Sequence, residues 1–276
     1  MNSAQAFVSA GESFGIKSFG ITSCGVAVMA KASAPGRTKT RLVPPLTGQE
    51  AAAFNTAFLQ DISANILAAR KVRRIQPYMA YGPPGPDSVA FFRDALPDEV
   101  GLLEAWWPDF GDCLYGAIDQ LLALGHASAV VLNSDSPTLP TSLLVETAEV
   151  LSHPGDRAVL GPSTDGGYYL LGLKARHRRL FEDVTWSTDQ VAEQTLARAA
   201  EIGLSVHLLP AWYDVDDAQS LRVLYGELFE DQPFSRRHDR HLAASSARLM
   251  RTLLARSDLA TRLDLVPRPA IAVAAG

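Results

Sequence analysis

Four stretches of this 276-residue chain place charged side chains beside turn-forming residues, and each invites a chemical reading. The first runs Lys31-Ala-Ser-Ala-Pro35-Gly36-Arg37-Thr-Lys39-Thr-Arg41. No acid interrupts the chain between Glu12 and Glu50, so Lys17, Lys31, Arg37, Lys39 and Arg41 follow one another unopposed. Such cations neutralise phosphates, and the Pro35-Gly36 turn can present backbone N–H groups to them. The spacing is neither the Walker A pattern nor GxGxxG. A solvated basic loop fits the same residues equally well.

The second stretch is Asn133-Ser-Asp135-Ser-Pro137. Asp135 follows an apolar run, and a carboxylate there can serve Mg²⁺, which takes one or two protein carboxylates plus substrate phosphate oxygens. An Asx-turn or a helix cap is the competing reading and, for a lone Asp-Ser-Pro, the favoured one. The third is Asp214-Val-Asp216-Asp217, where one carboxylate can cap the next helix and another stays open to a cation. The fourth is Gly161-Pro-Ser-Thr-Asp165-Gly166-Gly167-Tyr168. Paired glycines permit positive φ and close approach to a ligand, although an ordinary turn between strands needs them too.

The elements that would carry these stretches alternate. Cys24–Ala30, Ile75–Tyr81, Gly101–Trp107, Ala127–Leu132, 157–161, Tyr168–Leu173 and Leu204–Leu209 are short apolar runs suited to buried strands. Thr47-Gly-Gln-Glu50 is a capping box, and Phe54, Phe58, Ile62 and Ile66 recur every fourth residue behind it. A short helix is predicted through Phe91 and Phe92, and further helices over 112–124, 141–151, 188–202 and 217–229. Strand–helix alternation implies an α/β fold with a mostly parallel sheet and helices on both faces. In such sheets ligands bind beyond the carboxyl ends of the strands, where the charged stretches fall.

KASAPGRTKTRL, LNSDSPTLP, GPSTDGGYYLLGL and YDVDDAQSL, in this order and spacing, resemble a bacterial family of GT-A-like glycosyltransferases. The family is associated with arsenosugar biosynthesis and radical-SAM proteins, and is similar to sugar-nucleotide and molybdopterin-type nucleotidyltransferases. The resemblance spans about Gly25 to Phe229. It implies a GT-A, nucleotide-diphospho-sugar transferase-like fold. It implies that Lys39 and Arg41 contact the nucleotide phosphates, with Lys31, Gly36 and Arg37 completing the phosphate loop. It implies that Asp135 and Asp216 hold Mg²⁺ or Mn²⁺. Asp165 and the Gly166-Gly167 turn would lie beside the sugar or acceptor, with Asp165 as the candidate base. The sequence departs from the family at Asp217–Ser220, and GDCLYG has no Arg near Tyr115 where the family has one. The implied reaction is glycosyl transfer from a nucleotide-diphosphate sugar to a small acceptor. The alternative is nucleotidyl transfer from an NTP to a phosphorylated small molecule, with pyrophosphate release.

Composition bounds these readings. Net charge is −5, which argues against a non-specific nucleic-acid binder. Residues 231–276 alone carry eight Arg against four Asp. That stretch reads as a basic, helical tail with Leu242, Leu249, Leu253 and Leu254 on one face, packed on the body or on a second subunit as a homo-oligomer contact. Residues 1–23 read as a loose extension before a transferase domain over 24–230. Two cysteines exclude a disulfide framework or a Cys-based zinc site. The N-terminus lacks the pattern of a secretory signal, and no apolar run reaches the ~18 residues of a membrane span. Together these predict a cytoplasmic enzyme.

Overall fold

The computed structural model describes residues 23–265; the N-terminal extension up to residue 22, with Lys17, and the closing segment with Arg268 lie outside them. Within these residues the apolar runs do form strands. β1 (Cys24–Ala30), β2 (Ile75–Tyr81), β3 (Gly101–Glu104) and β4 (Ser128–Leu132) are mutually parallel neighbours. β6 (Tyr168–Leu173) then runs antiparallel between β4 and β5 (Ala158–Pro162), and β7 (Val206–Leu208) closes the far edge parallel to β5. The seven-stranded order is β3-β2-β1-β4-β6-β5-β7. The order reverses direction at β1, as in doubly wound folds, where a ligand crevice forms at the strands' carboxyl ends.

The helices cover both faces. α1 (Gly48–Arg70) opens with the predicted capping box: Thr47 accepts from Glu50 N–H, and Glu50 accepts from Thr47 N–H. Its Phe54, Phe58, Ile62 and Ile66 stripe is fully buried against the sheet with α4 (Thr141–Ser152). Each such side chain stabilises the fold by about 1.5–3 kcal/mol. α2 (Pro86–Ala95) follows β2 and completes this layer through Phe92. The opposite face is covered by α3 (Phe110–Ala123), whose Leu114, Ile118 and Leu121 are buried, and by α5 (Val191–Glu201).

α6 (Ala218–Phe229) begins at Asp217, the N-cap in a second capping box with Ser220. Of the carboxylates in DVDD, this one is therefore taken by its own helix, which leaves Asp214 and Asp216 for other work.

The basic tail folds back. α7 (Ala244–Arg256) lies along α1, with Met250 fully buried, and the short α8 (Leu259–Arg262) buries Leu259. Leu249, Leu253 and Leu254 pack against the same core. Leu242 does not join that face; it precedes α7 and is exposed. The N-cap of α7 is Ala243, which has no capping side chain. Asp61 from α1 substitutes for it, accepting from Ser245 N–H (2.7 Å), Ser246 N–H (2.8 Å) and Ser246 Oγ (2.6 Å). Arg262 makes a two-pronged pair with Glu50 (2.7 and 2.8 Å) and donates to Pro45 O. The apolar face of the tail thus packs on the body of its own chain.

Candidate active site

A cleft of about 410 Å³ opens at the carboxyl ends of β1, β2 and β4. That size suits a small-molecule ligand. The ends of these strands supply its floor: Met29 and Ala30, Ala80, Val131 and Leu132. β6 enters from the same side because it runs antiparallel, and brings Tyr168 and Tyr169 to the wall. The Tyr168 hydroxyl is buried with no hydrogen-bond partner, and burial holds it well above the ordinary phenol range.

The loop after β1 lines one side with Lys31, Arg37, Lys39 and Arg41. These cations divide into two kinds. Lys31 and Arg37 make no ion pair among the described residues; Lys31 Nζ instead lies 6.0 Å from the Trp106 ring centroid. Lys39 is the opposite. Its ammonium donates to Val215 O (2.7 Å) and Asp216 Oδ1 (2.8 Å) and pairs with Asp135 Oδ1 (2.8 Å). Its side chain is only 5% exposed. Burial by itself would lower its pKa, but Asp135 and Asp216 together outweigh that and raise it. Expected as an open phosphate contact, Lys39 is here a buried tie between carboxylates, because all three of its protons are used. Arg41 pairs with the other oxygen of Asp216 while staying 69% exposed, so it can still meet a ligand.

Two further expectations change. Gly36 does take positive φ (+71°), but the amides that follow it are not offered outward. Arg37 and Thr38 N–H both bond Ala34 O (3.1 and 3.2 Å), closing the turn on itself. Gly36 is also absent from the cleft wall, as are Asp165, Gly166 and Gly167. Gly166 (φ +90°) serves chain packing: a Cβ there would sit 2.0 Å from the Asp189 carbonyl oxygen. Asp165 is exposed and accepts from Gly167 N–H at 3.0 Å, an Asx-turn. Its charge still reaches Arg41 and Asp214.

Asp135 and Asp216 are brought together by the backbone. Val215 N–H donates to Asp135 O (2.8 Å), and Ser136 Oγ donates to Tyr213 O (2.9 Å). Beneath them Thr138 Oγ1 donates to Tyr213 Oη (3.1 Å), which donates to buried Glu227 (2.7 Å). This lattice holds the two acidic loops side by side. Asp214 sits with them, and burial followed by the charges of Asp165, Asp216 and Asp135 pushes its pKa up to about 7.

The donor set suits a divalent cation. One oxygen from each of Asp135 and Asp216 already converges within 2.8 Å of a single nitrogen. Mg²⁺ and Mn²⁺ favour such hard oxygens, and Mg²⁺ uses few protein ligands when phosphates supply the others. Among the described residues no group of three or more His, Cys, Asp or Glu side chains could hold a metal alone. Any such ion would therefore share its shell with water and ligand.

Sequence patterning missed the aromatic rim. Trp106 and Phe110 line the cleft yet are 50% and 51% exposed. Gly82, at the end of β2, explains the placement of Trp106: a Cβ there would lie 2.2 Å from the indole. Phe110 is braced edge-on by Trp186 at 5.5 Å between centroids. The signal was present in the Trp106-Trp107 pair, but only the tertiary fold shows that Trp106 lines the cleft while Trp107 packs over Gly116.

A family profile described as an uncharacterized protein conserved in bacteria (DUF2064) matches residues 65–188, a little under half of the chain. No curated protein matches the chain in sequence. Among solved structures, it is similar to a provisionally assigned nucleotide-diphospho-sugar transferase from Desulfovibrio desulfuricans G20. That likeness has 25% identity and a TM-score of 0.71, covering 84% of this chain and 95% of the other. More distant are CMP:2-keto-3-deoxy-manno-octonic acid synthetase complexed with CTP (11% identity, 76% and 99% covered, TM-score 0.49) and a cytidylyltransferase from Leptospira borgpetersenii (10%, 90% and 99%, 0.48). No helix among the described residues is long and apolar enough to cross a membrane. The chain has the mostly parallel α/β architecture of a nucleotide-diphospho-sugar transferase.

Proposed function

We propose that this protein is a metal-dependent glycosyltransferase that moves a sugar from a nucleotide-diphosphate sugar to a small acceptor. The observation that carries the reading is one cleft combining three elements: open cations (Lys31, Arg37, Arg41), exposed rings (Trp106, Phe110) and the paired carboxylates Asp135 and Asp216. A nucleotide diphosphate has the matching parts: a flat base, a chain of negative charge, and a need for a cation. The likeness to the Desulfovibrio structure supports the same class. The narrower association with arsenosugar biosynthesis or radical-SAM proteins rests on the sequence resemblance alone.

In this reading Trp106 and Phe110 receive the base, and Lys31, Arg37 and Arg41 receive the diphosphate. Asp135 and Asp216 hold Mg²⁺ or Mn²⁺, which when bound supplies a Lewis acid to the leaving diphosphate. Arg41 adds fixed positive charge where negative charge develops, which counts for most in a site partly shielded from water. Asp165 lies outside the cleft wall, exposed and oriented by Gly167 N–H, and is assigned as the base for an acceptor hydroxyl that approaches from that side.

Asp135→Ala should lower transfer about 10²–10³-fold, the usual loss when charge stabilisation is removed. The assay is turnover of a panel of nucleotide sugars with Mg²⁺ or Mn²⁺ in excess. A near-normal rate for the variant would remove Asp135 from the site. Turnover of a bare NTP with a sugar phosphate, releasing pyrophosphate, would replace glycosyl transfer with nucleotidyl transfer.

A further inference from the structure

Lys39 and a divalent cation want the same place. Nζ lies 2.8 Å from Asp135 Oδ1 and 2.8 Å from Asp216 Oδ1, and its third proton goes to Val215 O at 2.7 Å. An ammonium has three donors and no acceptor, so this one is complete. Underneath, the Phe58 ring centroid is 5.3 Å away, which completes the enclosure. The backbone at Lys39 is left-handed (φ 52°, ψ 39°), a conformation disfavoured for a side chain of this kind and kept only where surroundings enforce it. The loop is therefore shaped to deliver this ammonium to these carboxylates.

A metal ion would use the same oxygens at shorter range. The second oxygen of Asp216 is held by Arg41, and Asp135 Oδ1 also accepts from Ser134 Oγ at 2.8 Å. Asp135 Oδ1 and both oxygens of Asp216 are therefore engaged while Lys39 and Arg41 remain. A second cation at this point meets the full repulsion of the first across a few ångströms. Lys31 and Arg37 stand free on the same wall, so an incoming diphosphate has receptors before Lys39 moves.

We propose that Lys39 is a built-in counter-ion that competes with the divalent cation for Asp135 and Asp216, and that it leaves them when a diphosphate offers its ammonium a new anion. Metal and nucleotide then bind cooperatively: each is weak alone and tighter with the other, as linkage requires. The inference rests on the metal-dependent reading above and adds an order of assembly to it.

The test titrates Mn²⁺ into the full chain without nucleotide, reading free Mn²⁺ by electron paramagnetic resonance. Lys39→Met keeps the length and removes the charge. Its Kd for Mn²⁺ should fall about 10- to 10²-fold below that of the unaltered protein, the scale expected for removing one adjacent like charge. Lys39→Arg should show no such gain, and Lys39→Met combined with Asp135→Asn should lose it. A folded Lys39→Met that binds Mn²⁺ no tighter overturns the proposal. Should Lys39→Met fail to fold, the unaltered protein decides. Its Lys39 ¹⁵N ammonium resonance should shift when Mg²⁺ and a nucleoside diphosphate are both bound, and an unchanged signal refutes displacement. If no nucleotide sugar turns over yet Lys39→Met gains Mn²⁺ affinity, the transferase reading fails and the competition stands.

Discussion

At the residue scale, the cleft depends on side chains whose roles differ despite similar chemistry. Arg37 and Lys39 are two residues apart, but one is exposed without an ion pair among the described residues and the other is buried among acids. The left-handed backbone at Lys39 and the carboxylates that enclose its ammonium produce that split, and a count of cations does not. Trp106 offers a direct test of the base platform. Trp106→Ala should weaken binding of nucleoside diphosphates by about 1–3 kcal/mol, the usual value of a base-stacking side chain. Gly82→Ala should weaken it in the same direction while keeping the tryptophan in the sequence, since the new methyl would displace the ring. Calorimetry on both variants checks this; unchanged affinity in Trp106→Ala would move the base elsewhere in the cleft.

At the element scale, the start of α7 is capped by a carboxylate acting across the chain. Asp61 accepts three hydrogen bonds at the start of α7, whose own N-cap residue offers none. Asp61→Ala should cost about 2–3 kcal/mol, more than a surface cap, because buried donors are left unpaired. Urea unfolding gives the magnitude, and hydrogen exchange should show α7 amides losing protection first. A loss below about 0.5 kcal/mol, the range of ordinary surface changes, would show that core packing by Met250 alone secures the helix. The strands and the α1 stripe were legible in the sequence because a period of two or 3.6 is a local property. Asp61 was not, since its partners lie 184 and 185 residues away and nothing in α1 marks it as a cap. The reach of the strand after Glu104 was overread for a related reason: Trp106 and Trp107 are apolar, yet they turn out to the cleft rim and to Gly116.

At the scale of the whole molecule, two buried histidines should subtract stability as pH falls, while Asp214, whose pKa is pushed up to about 7, adds to it in the same window. His126 is buried between Ser23 and Tyr78, with ring nitrogens 2.9 Å from each hydroxyl, and burial lowers its pKa below 6.5. Burial also lowers His241, against an opposing pull from Asp61. The folded state therefore resists protons that the unfolded chain accepts. The histidine contribution is complete above about pH 6.5 and declines as pH falls from there toward the folded pKa values, whereas Asp214 takes up its proton more readily in the folded state and opposes that decline. The slope from each histidine is at most about 1.4 kcal/mol per pH unit. A second loss follows near the carboxylate range, where Glu50, held low by its bond to Arg262, takes up a proton. Denaturant midpoints measured from pH 8 to 5 check the first step. His126→Gln should flatten it, and an unchanged slope would assign the step to other groups.

The sequence by itself determined the α/β alternation, the capping box at Thr47, the buried stripe of α1, and the set of charged residues from which a site could be drawn. These follow from periodicity and local hydrogen bonding, which act over a few residues. Tertiary structure alone decided how those charges pair. Lys39 and Asp216 are 177 positions apart, yet the Val215–Asp135 backbone bond and the Ser136–Tyr213 bond lay their loops together. Whether a lysine faces solvent or carboxylates depends on which loops the sheet order places side by side. That order is set by packing the whole core.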